Sequence, residues 1–231
     1  MKTLIYQYYY SLPQDKRTHH IMDDSNNYHE LSRHSIRRYA MEHGHDYKFL
    51  DHEHPVSPFY GIFMPFTEGW CHDYDAICWM DADILATKNA EDVFSKYNAG
   101  KISAYFMETQ NRWKGKPDDS PWGWFKDKGH INSGVVIFPK STYHYITNFV
   151  SDLQHLHDTR SELETSLGNF DQAIVNKIVR NLDSYQELKR EWNYHLGRYP
   201  QEDRFDANLI HYWRQFKGQM KIDFEDERIL K

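Results

Sequence analysis

Apolar and polar positions fall into two rhythms along this chain. Thr3-Leu4-Ile5-Tyr6-Gln7-Tyr8-Tyr9-Tyr10 is aromatic and β-branched, the pattern of a strand. The turn cluster Asp23-Asp24-Ser25-Asn26-Asn27 can cap a helix. Tyr28, Leu31, Ser35, Tyr39 and Ala40 then recur at near-helical spacing. This predicts a helix from about Tyr28 to Glu42, stopped by Gly44. Asp46-Tyr47-Lys48-Phe49-Leu50 reads as a second strand, and strand, helix, strand suits a βαβ unit in a parallel sheet. His52, His54, Pro55 and Pro58 mark a loop, and Phe59 to Trp70 reads as a helix broken near Pro65. Ala76 to Leu85 reads as a third, buried strand.

Further on, Asn89 to Phe94 resembles a short capped helix and Ile102 to Phe106 a strand. His130 to Pro139 begins as an Asn-Ser-Gly turn feeding an apolar strand. Ser141 to Asp158 has Tyr145, Phe149, Leu153 and Leu156 along one helical side, and Gly168-Asn169-Phe170 leads into a helix opening at Asp171 and Gln172. Ala207 to Trp213 is a late strand, and the tail from Lys221 reads as charged and peripheral. No repeat, low-complexity segment or linker interrupts this order, so the chain predicts one α/β domain.

The chemistry gathers at Trp79-Met80-Asp81-Ala82-Asp83-Ile84-Leu85. Asp-x-Asp by itself is common and usually means solvated turn residues. Here apolar residues bury the approach on both sides, and buried carboxylates are costly unless their charge is compensated. Oxygen ligands at that spacing suit a hard divalent ion, Mg²⁺ or Mn²⁺, with positions left for phosphate oxygens. Ligands in open α/β sheets also gather at the carboxyl ends of strands.

Composition narrows the picture. With 231 residues the chain can bury a sizeable core, and its formal charge of −6 argues against a general nucleic-acid binder. Two cysteines, Cys71 and Cys78, give no disulfide framework and fit a reducing compartment. The apolar run in residues 1–12 carries Gln7 and lacks a cleavage-site pattern, so it reads as a strand and not as a signal peptide. No apolar run reaches membrane-spanning length. The expectation is a cytoplasmic protein.

Other candidates carry two readings each. Arg33, Arg37 and Arg38 form a basic helix face, usually solvated, that can meet phosphates. Gln110 to Gly129 holds Trp113, Trp122 and Trp124, and reads either as a loop folding over an acceptor or as an ordered surface excursion. Asn132 offers a donor and an acceptor to sugar hydroxyls, and Gly134 permits close approach of a ligand. Asp171 is explained equally well as a first-turn carboxylate favoured by the helix dipole. His211, after an apolar strand, is a metal ligand or a packed edge residue.

Taken in order, Tyr39-Ala40-Met41-Glu42-His43-Gly44-His45-Asp46-Tyr47, Trp79 to Asp83, Ile131-Asn132-Ser133-Gly134-Val135, Phe170-Asp171-Gln172 and His211 with Lys217 resemble the small GT-A glycosyltransferases. The resemblance is to the glycogenin- and LgtC-like group and the yeast-type α-galactosyl/mannosyltransferases, over roughly residues 1–218. It implies a Rossmann-like, mixed, mostly parallel sheet flanked by helices in a single domain, 1–231. Residues 1–105 would form the nucleotide-binding half, 106–218 the donor-sugar and acceptor half, and 219–231 a tail.

The resemblance implies a hexosyltransferase using a nucleotide sugar, with UDP the expected nucleotide and retention the expected outcome. Asp81, Asp83 and His211 would hold Mn²⁺ (or Mg²⁺), with Ala82 between the two carboxylates at the nucleotide. Lys217 would meet the diphosphate. Asn132, Ser133 and Gly134 would lie against the donor sugar, and Asp171 and Gln172 would face the reacting sugar and a glycan or glycoconjugate acceptor. Gln7, Tyr8 and Tyr9 would flank the base.

The chain departs from the family pattern at Arg214, Gly218 and Gln219, and at Phe59-Tyr60-Gly61-Ile62, where relatives carry a lysine. An arginine of the basic face, Arg37 among them, would substitute for that lysine. Two other readings use the same residues. Paired carboxylates and the pairs His19-His20, His43/His45, His52/His54 and His155/His157 would serve a metal-dependent phosphohydrolase or nuclease. A non-catalytic nucleotide-sugar-binding module would need only the binding groups.

Overall fold

The computed structural model describes residues 1–11, 27–107, 129–159 and 171–231. The expected cap at 23–26, the Trp-rich segment through residue 128 and Gly168 to Phe170 lie outside the described residues. The fold is α/β, with a six-stranded sheet in the order β2-β1-β3-β6-β5-β7. Its strands are β1 (Thr3–Tyr8), β2 (Asp46–Leu50), β3 (Ala76–Met80), β5 (Ile102–Met107), β6 (His130–Pro139) and β7 (Tyr185–Leu188). Strand β6 runs antiparallel to both neighbours, and the remaining pairings are parallel. β1 and β3 are buried along their whole length, as expected for central strands covered on both faces.

Helix α1 (Tyr28–Glu42) follows the expected bounds and buries Tyr28, Ser32, Ser35, Ile36, Tyr39 and Ala40. It ends where Gly44 adopts φ 74°. The Gly44 and His45 N–H groups then return to the Met41 and Ala40 carbonyls at 3.2 and 2.9 Å, satisfying two of the carbonyls left open at a helix end.

Several expectations change. Ala76 to Leu85 is not one strand. β3 stops at Met80, the acidic residues turn the chain, and β4 (Ile84–Ala86) enters a second sheet in the order β4-β9-β8. Its partners are β8 (Tyr194–His195) and β9 (Leu209–His211). Among the described residues, one edge of β4 has no strand beside it. There the Ser32 hydroxyl donates to the Ile84 carbonyl at 2.7 Å and lies 3.2 Å from the Ile84 N–H, and Ser35 accepts from the Ala86 N–H at 3.0 Å. Two serines of α1 thus replace a strand, which explains why that helix carries polar residues on its buried face.

Asn132-Ser133-Gly134 is not a turn but part of β6, next to a register shift against β5 between Ala104 and Tyr105. The buried Asn176 amide compensates there. Its oxygen accepts from the Ile131 N–H at 2.7 Å and its nitrogen donates to the Ile131 carbonyl at 3.1 Å.

Phe59 to Trp70 is a 3₁₀ turn followed by the single-turn α2 (Met64–Thr67). The region 141–158 is two helices, α3 (Tyr143–Phe149) and α4 (Leu153–Asp158), because Asp152 caps a new start by accepting from the His155 N–H. The short helix expected over 89–94 is a 3₁₀ turn, Val93–Lys96, capped by Asp92.

Helix α5 (Asp171–Leu182) opens at Asp171. The tail is not peripheral. Helix α6 (Lys217–Phe224) packs against α1. Its Asp223 is 2% exposed and takes both arms of Arg204 at 2.7 and 2.9 Å and the Tyr212 hydroxyl at 2.8 Å. Leu230 returns its N–H to the Ala86 carbonyl at 3.0 Å.

Candidate active site

The site lies where the two sheets meet. Gly134 of β6 gives its carbonyl to the Asp81 N–H at 2.9 Å, and the Asp83 carbonyl accepts from the Tyr212 N–H at 2.9 Å. The Asp81 carbonyl is held by Gln7 at 3.0 Å. Gln7 is fully buried. Its amide also donates to Ser32 at 2.8 Å, and its oxygen accepts from the Tyr47 hydroxyl at 2.8 Å. A polar side chain in the middle of a buried strand is costly unless bonded in this way. Gln7 therefore fastens the acidic turn, with both N–H donors and the oxygen of its amide engaged within the protein.

The side chains converge. His211 Nε2 lies 3.5 Å from Asp81 Oδ2 and 3.2 Å from Asp83 Oδ1, and Lys217 Nζ lies 3.2 Å from Asp83 Oδ2. One ligand atom from each of Asp81, Asp83 and His211 falls within 4.8 Å of the others. Asp83 Oδ1 is buried and accepts no hydrogen bond, although the imidazole is close by. That orphaned oxygen, facing a ring nitrogen and a second carboxylate, fits a cation. Two carboxylates and one imidazole are a donor set that Mn²⁺ accepts.

Burial pushes the Asp81 carboxyl above its usual range, and the adjoining Asp83 adds to that despite His211. Burial also opposes charge on Asp83, but Lys217 and His211 outweigh it and hold that carboxyl well below the usual range. His211 is raised, because Asp83 and Asp81 overcome the effect of burial. Trp79 Nε1 donates to Asp81 Oδ1 at 3.0 Å and orients that carboxylate. The Lys217 ammonium also lies 3.9 Å from the centre of the Tyr28 ring, a cation–π contact.

Asp171, at the start of α5, accepts from the Ser133 hydroxyl at 2.9 Å, and Gln172 accepts weakly from the Ser133 N–H at 3.4 Å. Burial, followed by the charge of Asp81, pushes the Asp171 carboxyl up to about 7. The structure thus brings Asp81, Asp83, Asn132, Ser133, Gly134, Asp171, Gln172, His211 and Lys217 to one place, with Ala82 half-buried in the turn.

Other expected residues sit differently. Tyr9 stacks on His29 and meets Tyr28 edge-on at 5.7 Å, which places it on the Lys217 side. Tyr8 points to the opposite face, packed on Gly61, with its hydroxyl donating to the His52 carbonyl at 3.0 Å. Strand alternation separates the two, so the expectation that Tyr8 flanks a nucleotide is not supported. Arg37 is exposed on a groove with Arg33, His34 and Phe224. It lies on the face of α1 away from Ser32 and is not among the converging groups.

Gly134 makes room for the protein itself: a Cβ there would lie 2.6 Å from His211 Nδ1 and 2.9 Å from Asn132 Oδ1. Two residues beside the cluster carried no sequence signal. Asn193 bonds to His211 Nδ1 at 2.9 Å. His195 lies 5.1 Å from the His211 ring and 5.3 Å from Trp213, and burial, with the His211 charge, lowers it to about 3.

A mixed, mostly parallel sheet ending in an acidic turn, with a late histidine and lysine closing over it, defines a GT-A type glycosyltransferase. The glycosyl transferase family 8 model matches residues 67–218, and the chain belongs to that family. No curated protein matches it by sequence. Among solved structures, it resembles a glycosyltransferase involved in glycosylation of the major capsid of PBCV-1, with a TM-score of 0.60, 12% identity, and 97% of this chain and 99% of that one covered. An active-site mutant of LgtC gives a TM-score of 0.54 at 10% identity, covering 95% of this chain and 94% of that one. Apo GlyE of Streptococcus pneumoniae TIGR4 gives 0.51 at 15% identity, covering 98% and 61%. These likenesses show the fold. No described helix is long and apolar enough to cross a membrane.

Proposed function

We propose that this glycosyltransferase moves a hexose from a nucleotide sugar, UDP-linked, to a hydroxyl of a glycan or glycoconjugate with retention, and works in the cytoplasm. The convergence of Asp81, Asp83 and His211 on one point, with Asp83 Oδ1 left unbonded, carries this reading. These three residues would hold Mn²⁺ or Mg²⁺, and a dication there would stabilise charge building on a leaving diphosphate. Lys217 would shift from Asp83 toward the diphosphate and add to that stabilisation. Asn132, Ser133 and Gly134 would border the donor sugar, with Asp171 and Gln172 opposite the reacting carbon. Tyr9 would sit near the base, and Gln7 would act by holding the turn rather than by touching the nucleotide. The chain would work as one unit, with the nucleotide on the 1–105 side, the sugar and acceptor on the 106–218 side, and the tail as a brace.

The phosphohydrolase reading loses its support in the pairs His43/His45 and His52/His54, while His19-His20 lies outside the described residues. His43 and His45 bind the Ala90 carbonyl and Asp92, His52 meets Glu68, and His54 accepts from the Val56 and Ser57 N–H groups. Among the described residues, Asp81, Asp83 and His211 are the group of acidic and imidazole side chains placed for an ion.

A panel of nucleotide sugars tested for Mn²⁺-dependent thermal stabilisation, followed by transfer assays, identifies the donor. Asp81→Asn with Asp83→Asn is expected to reduce transfer by about 10³-fold or more, since the charge on the leaving group loses its counter-ion. Transfer at the wild-type rate in that double variant rejects the site. Tight metal-dependent binding without turnover on any acceptor identifies a binding module instead.

A further inference from the structure

Three groups behind the cluster form a chain whose direction is set by a backbone amide. The Gly134 N–H donates to Asn132 Oδ1 at 3.0 Å. A backbone N–H can only donate, so the atom it meets is an acceptor. That same Asn132 oxygen lies 2.7 Å from Asn193, so Asn193 presents its NH₂ group there. Its oxygen then faces His211 Nδ1 at 2.9 Å, and Nδ1 carries the hydrogen. Nε2, on the other side of the ring, is the nitrogen directed at Asp81 and Asp83. Asn193 is fully buried and His211 is 3% exposed, so water offers no competing partner.

We infer that Asn193 is a positioning residue that fixes the tautomer and ring angle of His211 and ties the ion-holding histidine to the donor-sugar strand through Asn132. The inference rests on the proposed function for the ion and the donor, and it adds a residue and a linkage that the reading itself does not need. A partner on the far nitrogen of a ligating histidine sets which nitrogen is free to bind and how the ring is aimed. The chain also consumes the Asn132 oxygen, so that side chain could meet a sugar only through its NH₂ group, which makes a long contact of 4.0 Å to Met107 Sδ. The metal half and the sugar half of the site therefore share one rigid link.

Two substitutions at one position separate the two bonds. Asn193→Ala removes both, and Mn²⁺ affinity, read by calorimetry on the full chain, is expected to fall about 10- to 100-fold. Asn193→Asp keeps an acceptor for His211 Nδ1–H but sets an oxygen against Asn132 Oδ1. It is expected to hold Mn²⁺ severalfold more weakly than wild type but clearly better than Asn193→Ala, because the partner of His211 is kept and only its tether to Asn132 is lost. In Asn193→Asp, the preference for a UDP-sugar over UDP should shrink, because Asn132 is pushed off its place.

A residue with only a packing role would make Asp as harmful as Ala, or more so, since it buries a charge. Asn193→Asp losing Mn²⁺ as Asn193→Ala does, or Asn193→Ala binding Mn²⁺ like wild type, overturns the inference and leaves the proposed function standing. Should either variant fail to fold, Asn132→Leu interrupts the chain from the other end. It is expected to weaken Mn²⁺ binding severalfold, and an unchanged affinity overturns the inference. Wild-type protein that takes up no Mn²⁺ overturns the proposed function and this inference together.

Discussion

The two sheets are built on different terms. The six-stranded sheet is long, apolar and layered, and each central strand is paired on both sides by another strand. The three-stranded sheet consists of elements two or three residues long, braced at its edge by serines of α1 and at its end by the returning tail. Burial and strand pairing hold the first together; the second is buried as well, but its short strands also rely on specific side-chain contacts along the edge. The site sits between them, so it takes rigidity from one and aim from the other.

Substitutions that load one sheet at a time test this contrast. Ile77→Ala in β3 opens a cavity among fully buried residues and should cost about 3 kcal/mol. Mn²⁺ affinity of the folded protein should stay near wild type, as seen by denaturation and calorimetry side by side. Asp223→Ala leaves Arg204 and Tyr212 without their shared acceptor and is expected to cost about 3 kcal/mol. In this case Mn²⁺ affinity should fall as well, because Tyr212 carries the bond to the Asp83 carbonyl. Equal affinity in the two variants would erase the distinction.

Gly134→Ala strikes the seam. The new methyl must displace His211, and Mn²⁺ affinity is expected to drop about tenfold, with a stability cost of about 1–3 kcal/mol.

Asp171 gives the smallest effect, and it has the opposite sign. Its carboxyl is raised from the ordinary 3.8 to about 7 in the folded protein. Between those values the folded state keeps a proton that the unfolded chain has lost, so this group makes stability fall as pH rises from about 4 to about 7. Asp171→Asn should therefore stabilise the metal-free protein by about 1–2 kcal/mol at pH 8 and hardly at all at pH 4. Thermal melts at the two pH values measure this. A destabilised Asp171→Asn at pH 8 would show that the carboxylate is paid back by a partner, contrary to its surroundings here.

The same contrast explains what was legible in the sequence. Strands such as Thr3 to Tyr8 and Ile102 to Met107 announce themselves, because burial on both faces favours near-continuous apolar runs. Helix α1 was readable to the residue from its period and its closing glycine. The ionisable residues that converge, Asp81, Asp83, His211, Lys217 and Asp171, were readable as an ordered set. The second sheet was not: two or three residues carry no period, and Ile84-Leu85 looked like the end of β3. Gln7 and Gly134 were noticed as site residues, but their neighbours are protein groups, Ser32, Tyr47 and the Asp81 carbonyl for one and His211 for the other. Asn193 gave no signal, because one asparagine between Trp192 and Tyr194 is distinguished only by what folds against it.

Asp81 and Asp83 emerge from the ribosome long before His211 does, and Lys217 later still. A nascent chain halted anywhere between them displays two acidic groups and nothing to complete a coordination shell. On the proposed reading, loading with an ion would belong after translation has passed the second sheet, and half-made copies would offer it no finished site.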